Sequence, residues 1–167
     1  MLTSAGIHGR IGGRFGGYDI HAEFDGVNLA GRMGGRVFGK DVRFQFDGSH
    51  LSGRWGGGVD GKDVAFDMDA ATLFGRMGGK FAGQDLSLTV DGTTIAGRLG
   101  GKSFGKDVHL FCGEDGQMQG RIGGGFAGKD VHVEVAGMPW LMAAAVVCCV
   151  YWEHESKQRA AASGGGS

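Results

Sequence analysis

Proline is almost missing from this chain, with Pro139 alone among 167 residues. The chain therefore has no polyproline linker, and nothing before that position removes a donor from a ladder of strand hydrogen bonds. Cysteine is scarce as well. Cys112, Cys148 and Cys149 form neither a metal-ligand spacing nor a disulfide framework, so they read as small buried hydrophobes. Neither sign of charge is in excess, with 17 Lys and Arg against 18 Asp and Glu. That balance argues against the strongly basic face of a dedicated nucleic-acid binder. The start, Met1 to His8, lacks the basic and apolar regions of a secretory signal, so the expected compartment is the cytosol, with a place at a membrane periphery. G-x-S-x-G, P-loop and H-E-x-x-H motifs are all missing, and no catalytic residue, metal or cofactor is expected.

Glycine, by contrast, supplies 37 residues at fixed positions. A block built on G-R-x-G-G, then G-x-D-[VIL], then usually D-G begins at Gly9, Gly31, Gly53, Gly75, Gly97 and Gly120, spaced by 22 residues four times and then by 23. The extra residue falls in a turn. Units of this length bury their apolar faces only against neighbouring units, so the chain has to be read as one array.

Within Asn28 to Gly48, Leu29, Gly31, Met33, Gly35 and Val37 share one face of an extended strand, and Val42, Phe44 and Phe46 share one face of a second. Glycine near each connection supplies the positive φ of tight turns. The inner positions Ile7, Leu29, Leu51, Leu73, Ile95 and Met118, then Ile11, Met33, Trp55, Met77, Leu99 and Ile122, are all apolar. Six hairpins give twelve strands with one apolar face, and closure into a barrel removes the edges that would otherwise aggregate.

Twelve strands leave a lumen wider than their own side chains fill. The segment from Met138 to Trp152 is apolar on all sides as a helix, and its 15 residues are short for a bilayer. It is expected inside the barrel, with glycines of the first strands letting the sheet approach it; a membrane anchor is the competing reading. The resulting fold class is all-β with one helix, a closed 12-stranded antiparallel barrel of six hairpins at about 3–136 around a buried C-terminal helix at about 139–156. It forms a single domain over 1–158, and 159–167 reads as a flexible tail or linker.

The repeats from Gly9 to Asp130 and the helix from Pro139 to Trp152 together resemble, in architecture, the tubby-like C-terminal domain, the related phospholipid scramblase fold and the symmetric barrels called β-flowers. The resemblance implies phosphoinositide binding and carries over no individual binding residue. The stretch from Asp47 to Trp55, D-G-S-H-L-S-G-R-W, is also similar to MORN repeats, without their typical Tyr and Glu.

Three sets of residues are candidates for contacts. Counting each hairpin about Gly-Lys places Arg32 opposite Asp47, and likewise Arg10, Arg54 and Arg76 opposite Asp25, Asp69 and Asp91. Arg98 and Arg121 then meet Gly113 and Ala136, which leaves them free for an anion. The first set of hairpin tips carries Arg14, Arg36, Lys40, Lys62, Lys80, Lys102, Lys106 and Lys129 beside Phe15, Phe38, Phe81, Phe104 and Phe126. Basic and aromatic residues on one rim suit an anionic membrane surface. Asp19, Asp41, Asp60, Asp63, Asp85, Asp107 and Asp130 share that rim, however, so eight positive charges meet seven negative ones, and turn chemistry is the simpler reading. His21, His109 and His132 take equivalent outer positions but lie too far apart for easy metal ligation. The expected function is a non-catalytic, monomeric binding module, with anionic membrane lipids or another protein as partner and no nucleic acid. The alternatives are a structural or protein-interaction scaffold and a carrier of an apolar ligand in the lumen.

Overall fold

The computed structural model describes residues 5–12, 17–34, 39–57, 61–78, 83–101, 105–123 and 128–164, with side chains through residue 157. It contains β1 (Gly6–Ile11), β2 (Tyr18–Phe24), β3 (Asn28–Met33), β4 (Lys40–Phe46), β5 (His50–Trp55), β6 (Lys62–Met68), β7 (Thr72–Met77), β8 (Gln84–Asp91), β9 (Thr94–Leu99), β10 (Lys106–Cys112), β11 (Gln117–Ile122), β12 (Lys129–Ala136) and α1 (Trp140–Gly164). Each strand pairs with its sequence neighbours, and β1 pairs antiparallel with β12 to close the barrel. The apolar alternation read from the sequence is the inner wall: Leu29, Met33, Leu51, Trp55, Leu73, Met77, Ile95, Met118 and Ile122 are all buried.

The hairpin register differs from the sequence count. Arg32 faces Asp41 and Met33 faces Lys40, so β3 ends at Met33 and β4 begins at Lys40, and the pairing is not centred on Gly39-Lys40. The same offset pairs Arg10 with Asp19, Arg54 with Asp63, Arg76 with Asp85, Arg98 with Asp107 and Arg121 with Asp130. Gly34, with φ of 91°, ends the strand in a backbone conformation that side chains disfavour. Its N–H donates to the Asp19 carbonyl of the preceding hairpin at 2.8 Å. Gly56, Gly78, Gly100 and Gly123 repeat that bond to Asp41, Asp63, Asp85 and Asp107, and Gly12 completes the circle on Asp130. One glycine of the motif therefore links each hairpin to the one before it.

The first glycine of the motif has a different task from the one expected. A Cβ on Gly75 would lie 2.1 Å from the Ala65 carbonyl oxygen and 2.9 Å from Phe66 Cδ1, and one on Gly53 would meet Arg43 O and Phe44 in the same way. The neighbour pressing on these glycines is the adjacent strand, not the helix. Each gives room for the large inner side chain directly across the ladder.

At the opposite rim, Asp25, Asp47 and Asp69 are the turn residues. The Asp25 carboxylate accepts the N–H groups of Val27 and Asn28 at 2.9 and 2.7 Å, and Asp47 and Asp69 do the same for the residues two and three positions on. These backbone bonds hold all three carboxyls below their ordinary pKa. The charged forms are favoured by folding, so their contribution is complete above the ordinary carboxyl range and is lost as pH falls through the lowered values. Replacing all three with Asn is expected to flatten the fall of Tm between about pH 4 and pH 2. An unchanged slope would show that other groups drive acid unfolding.

Helix α1 enters from this rim, past Pro139, and runs up through the barrel. Every residue from Leu141 to His154 is buried, a length of about 21 Å that suits strands of six to eight residues. Cys148 and Cys149 lie on it, free and fully buried, and burial pushes the Cys148 thiol up to about 12. The helix is a core plug and not a separate anchor, and no described helix is long and apolar enough to cross a membrane. It continues to Gly164, past the boundary at Arg159 suggested by composition.

Candidate functional site

The residue before each motif aspartate is Tyr18, Lys40, Lys62, Gln84, Lys106 or Lys129, the first position of every even-numbered strand. Strand parity places it on the same face as the buried Ile20, Val42, Val64, Leu86, Val108 or Val131, and each is half-buried. Four lysines, one tyrosine and one glutamine therefore ring the mouth where the helix segment Tyr151–His154 passes. The neighbouring aspartates point the opposite way and are exposed on the outer wall. Among the described residues of this rim, opposite charges are separated in space: lysines line the mouth while aspartates face out.

Those aspartates are already engaged. Arg10, Arg32, Arg54, Arg76, Arg98 and Arg121 form ion pairs with Asp19, Asp41, Asp63, Asp85, Asp107 and Asp130 at 2.5–2.8 Å. Arg32, Arg54 and Arg121 also donate to the carbonyls of Gly39, Gly57 and Gly128. Arg98 and Arg121, expected to be free for an anion, are paired to Asp107 and Asp130 like the others, because the true register brings the motif aspartate opposite. The G-R arginine is a hairpin staple. Arg14, Arg36, Lys80 and Lys102 lie outside the described residues, as do Phe15, Phe38, Phe81, Phe104 and Phe126.

At the mouth, Glu153 is 4% exposed and accepts from Lys40 Nζ at 3.0 Å and Trp55 Nε1 at 2.9 Å. Lys62 Nζ sits 5.7 Å from the Trp152 ring centroid, and Trp152 meets Trp55 edge-on at 5.9 Å. Burial, followed by the Glu153 charge, raises the Tyr18 pKa. Lys40→Met would leave the Glu153 carboxylate buried with the Trp55 indole N–H, an expected loss of roughly 2–3 kcal/mol in urea unfolding. An unchanged midpoint would mean that water reaches Glu153. Lys106 and Lys129 make no hydrogen bond or ion pair with a described residue.

Three outer-wall histidines, His8, His21 and His132, lie on the strands of the closing seam, whereas His50 stands on β5 opposite Asp67 and His109 on β10. His8, which the sequence reading passed over, stands opposite both His21 and Glu134, with Nε2 3.1 Å from Glu134 Oε2. His132 instead pairs with Gln117 Oε1 at 2.9 Å, and His109 packs against Phe111. The closure of β1 on β12, which no local spacing reveals, brings His8 and Glu134 together. Among the described residues, no group of three His, Cys, Asp or Glu is placed to hold a metal ion. The lumen, where an apolar ligand would have to sit, is occupied by the helix.

No known family model, curated protein or solved structure matches the chain.

Proposed function

We propose that this barrel is a non-catalytic binding module that takes anionic phospholipid head groups at its basic mouth. The observation that carries the reading is the inward ring of Lys40, Lys62, Lys106 and Lys129, of which, among the described residues, only Lys40 is paired with a buried carboxylate. Cations held at one end of a rigid barrel add attraction toward a negatively charged surface at about 1 kcal/mol each. The architectural resemblance to tubby-like barrels points the same way.

The test is flotation of the full-length protein with phosphatidylcholine vesicles, with and without a phosphatidylinositol bisphosphate. Binding to the anionic vesicles alone is expected. Lys106→Gln combined with Lys129→Gln should weaken it roughly tenfold or more. Equal behaviour on neutral and anionic vesicles would remove the lipid reading and leave a protein-interaction scaffold, for which the exposed outer-wall rings of Phe74 and Phe111 would be the first surface to mutate.

A further inference from the structure

We infer that the mouth contains a phosphate site in which His154 takes up a proton as the anion binds. His154 is on the last buried turn of α1 and is 4% exposed, and neither its Nδ1 nor its Nε2 has a hydrogen-bond partner among the described residues. A neutral imidazole has one donor and one acceptor, and leaving both unsatisfied in a buried position is costly enough to call for an explanation. Its neighbour Glu153, equally buried, has both Lys40 and Trp55. Polar partners were therefore available at this level of the barrel, and His154 has none of them.

The groups around His154 come from three strands and its own helix. The Tyr18 ring of β2 lies 4.6 Å away between centroids. Lys129 of β12 and Arg10 of β1 lie close enough to act on it electrostatically, and so does Glu155 on the helix. Arg10 is committed to Asp19, at 2.6 Å. Lys129 has no such partner among the described residues. A lysine with no partner among the described residues, whose charge reaches a buried imidazole that also has none, offers a second N–H donor for one tetrahedral oxyanion, with the remaining mouth lysines adding long-range attraction.

The proton follows from electrostatics. Without an anion, burial and then the Lys129 charge lower the His154 pKa below its ordinary value, so the ring is neutral at neutral pH. A bound phosphate reverses both effects by supplying the opposite charge and an acceptor for the ring N–H. Anion binding therefore draws a proton from solvent onto His154, and affinity rises as pH falls, by up to about tenfold per pH unit between the free and bound pKa values. For the ligand-free fold the pH dependence has the opposite sign. Its stability is complete above the ordinary histidine range and declines as pH falls through that range toward the lowered value.

The inference rests on the basic-mouth reading, and the phosphate group recognised is the same whether it belongs to a lipid head group or is free in solution. NMR of the His154 ring nitrogens in the full-length protein tests it, with inorganic sulfate as the first probe because its charge stays constant over the range, then inorganic phosphate, then phosphatidylcholine vesicles carrying a phosphatidylinositol bisphosphate. The expected result is an upward movement of the His154 pKa on saturation, with sulfate affinity rising toward low pH. His154→Gln should make anion affinity independent of pH, and Lys129→Gln should lower it at every pH.

Four outcomes separate the possibilities. A His154 pKa that moves with sulfate and with vesicles supports both readings. One that moves with free anions while the vesicles fail to bind supports the site and assigns it to soluble phosphate. Vesicle binding with an unmoved His154 pKa overturns the inference and leaves the lysine ring standing. No binding of any probe overturns both.

Discussion

Ending the chain before Pro139 is expected to leave no folded barrel. Twelve strands enclose more space than their own side chains fill, and the helix supplies that filling over Leu141 to Trp152. Burial of Leu141, Met142, Val146, Val147 and Val150 contributes on the order of 10 kcal/mol, which is comparable with the whole stability margin of a domain. Without it, Trp55, Phe44 and Leu51 would face an empty or wet lumen. Near-UV circular dichroism and a thermal melt of the protein cut after Gly137 provide the measurement. Loss of the aromatic signal and of a cooperative transition is expected, whereas a cooperative melt with native β signal would refute the plugged-barrel account. Val147→Asp makes the same point at one position. Val147 is 0% exposed, and a carboxylate there would be buried without a partner, at a cost of several kcal/mol or by taking up a proton.

The second large effect is expected from adding a single methyl group. Gly75→Ala would place a carbon 2.1 Å from the Ala65 carbonyl oxygen and 2.7 Å from Phe66 Cα, both backbone atoms of the paired strand β6. Neither can retreat without opening the ladder on which closure depends. A loss of roughly 3 kcal/mol or more follows, read as a drop in Tm of roughly 10 °C for a chain of this size. Gly101→Ala is the control, since nothing lies within 4 Å of its Cβ position, and it should change stability by less than about 0.5 kcal/mol. If the two variants melt alike, the close approach at the motif glycine is not what keeps that position free of side chains.

How much could be read in advance differs residue by residue. Trp55, Met77 and Ile122 are buried because apolar residues alternate along strands, a pattern set within a few residues. Lys40 was legible by the same rule. It shares parity with Val42 and so faces the mouth, but counting charges by rim instead of by face hid it. Arg98 shows a different difficulty, because its partner depends on the register. Moving the turn away from Gly-Lys exchanges Gly113 for Asp107, and a connection of unknown length leaves that choice open. His154 could not have been singled out, because a histidine near the end of an apolar helix gives no sign of what the barrel places around it.

The sequence by itself determined the number of hairpins, the residues facing inward and the need for a central helix, because strand alternation and turn chemistry act over a few residues. Only the tertiary structure decided what the glycines make room for, which arginines are paired, that His8 meets Glu134 across the seam, and that His154 lacks partners among the described residues. Each of these depends on how far one strand slides and tilts against the next. That stagger is fixed by closing the whole ring of twelve strands around its plug, and no single repeat encodes it.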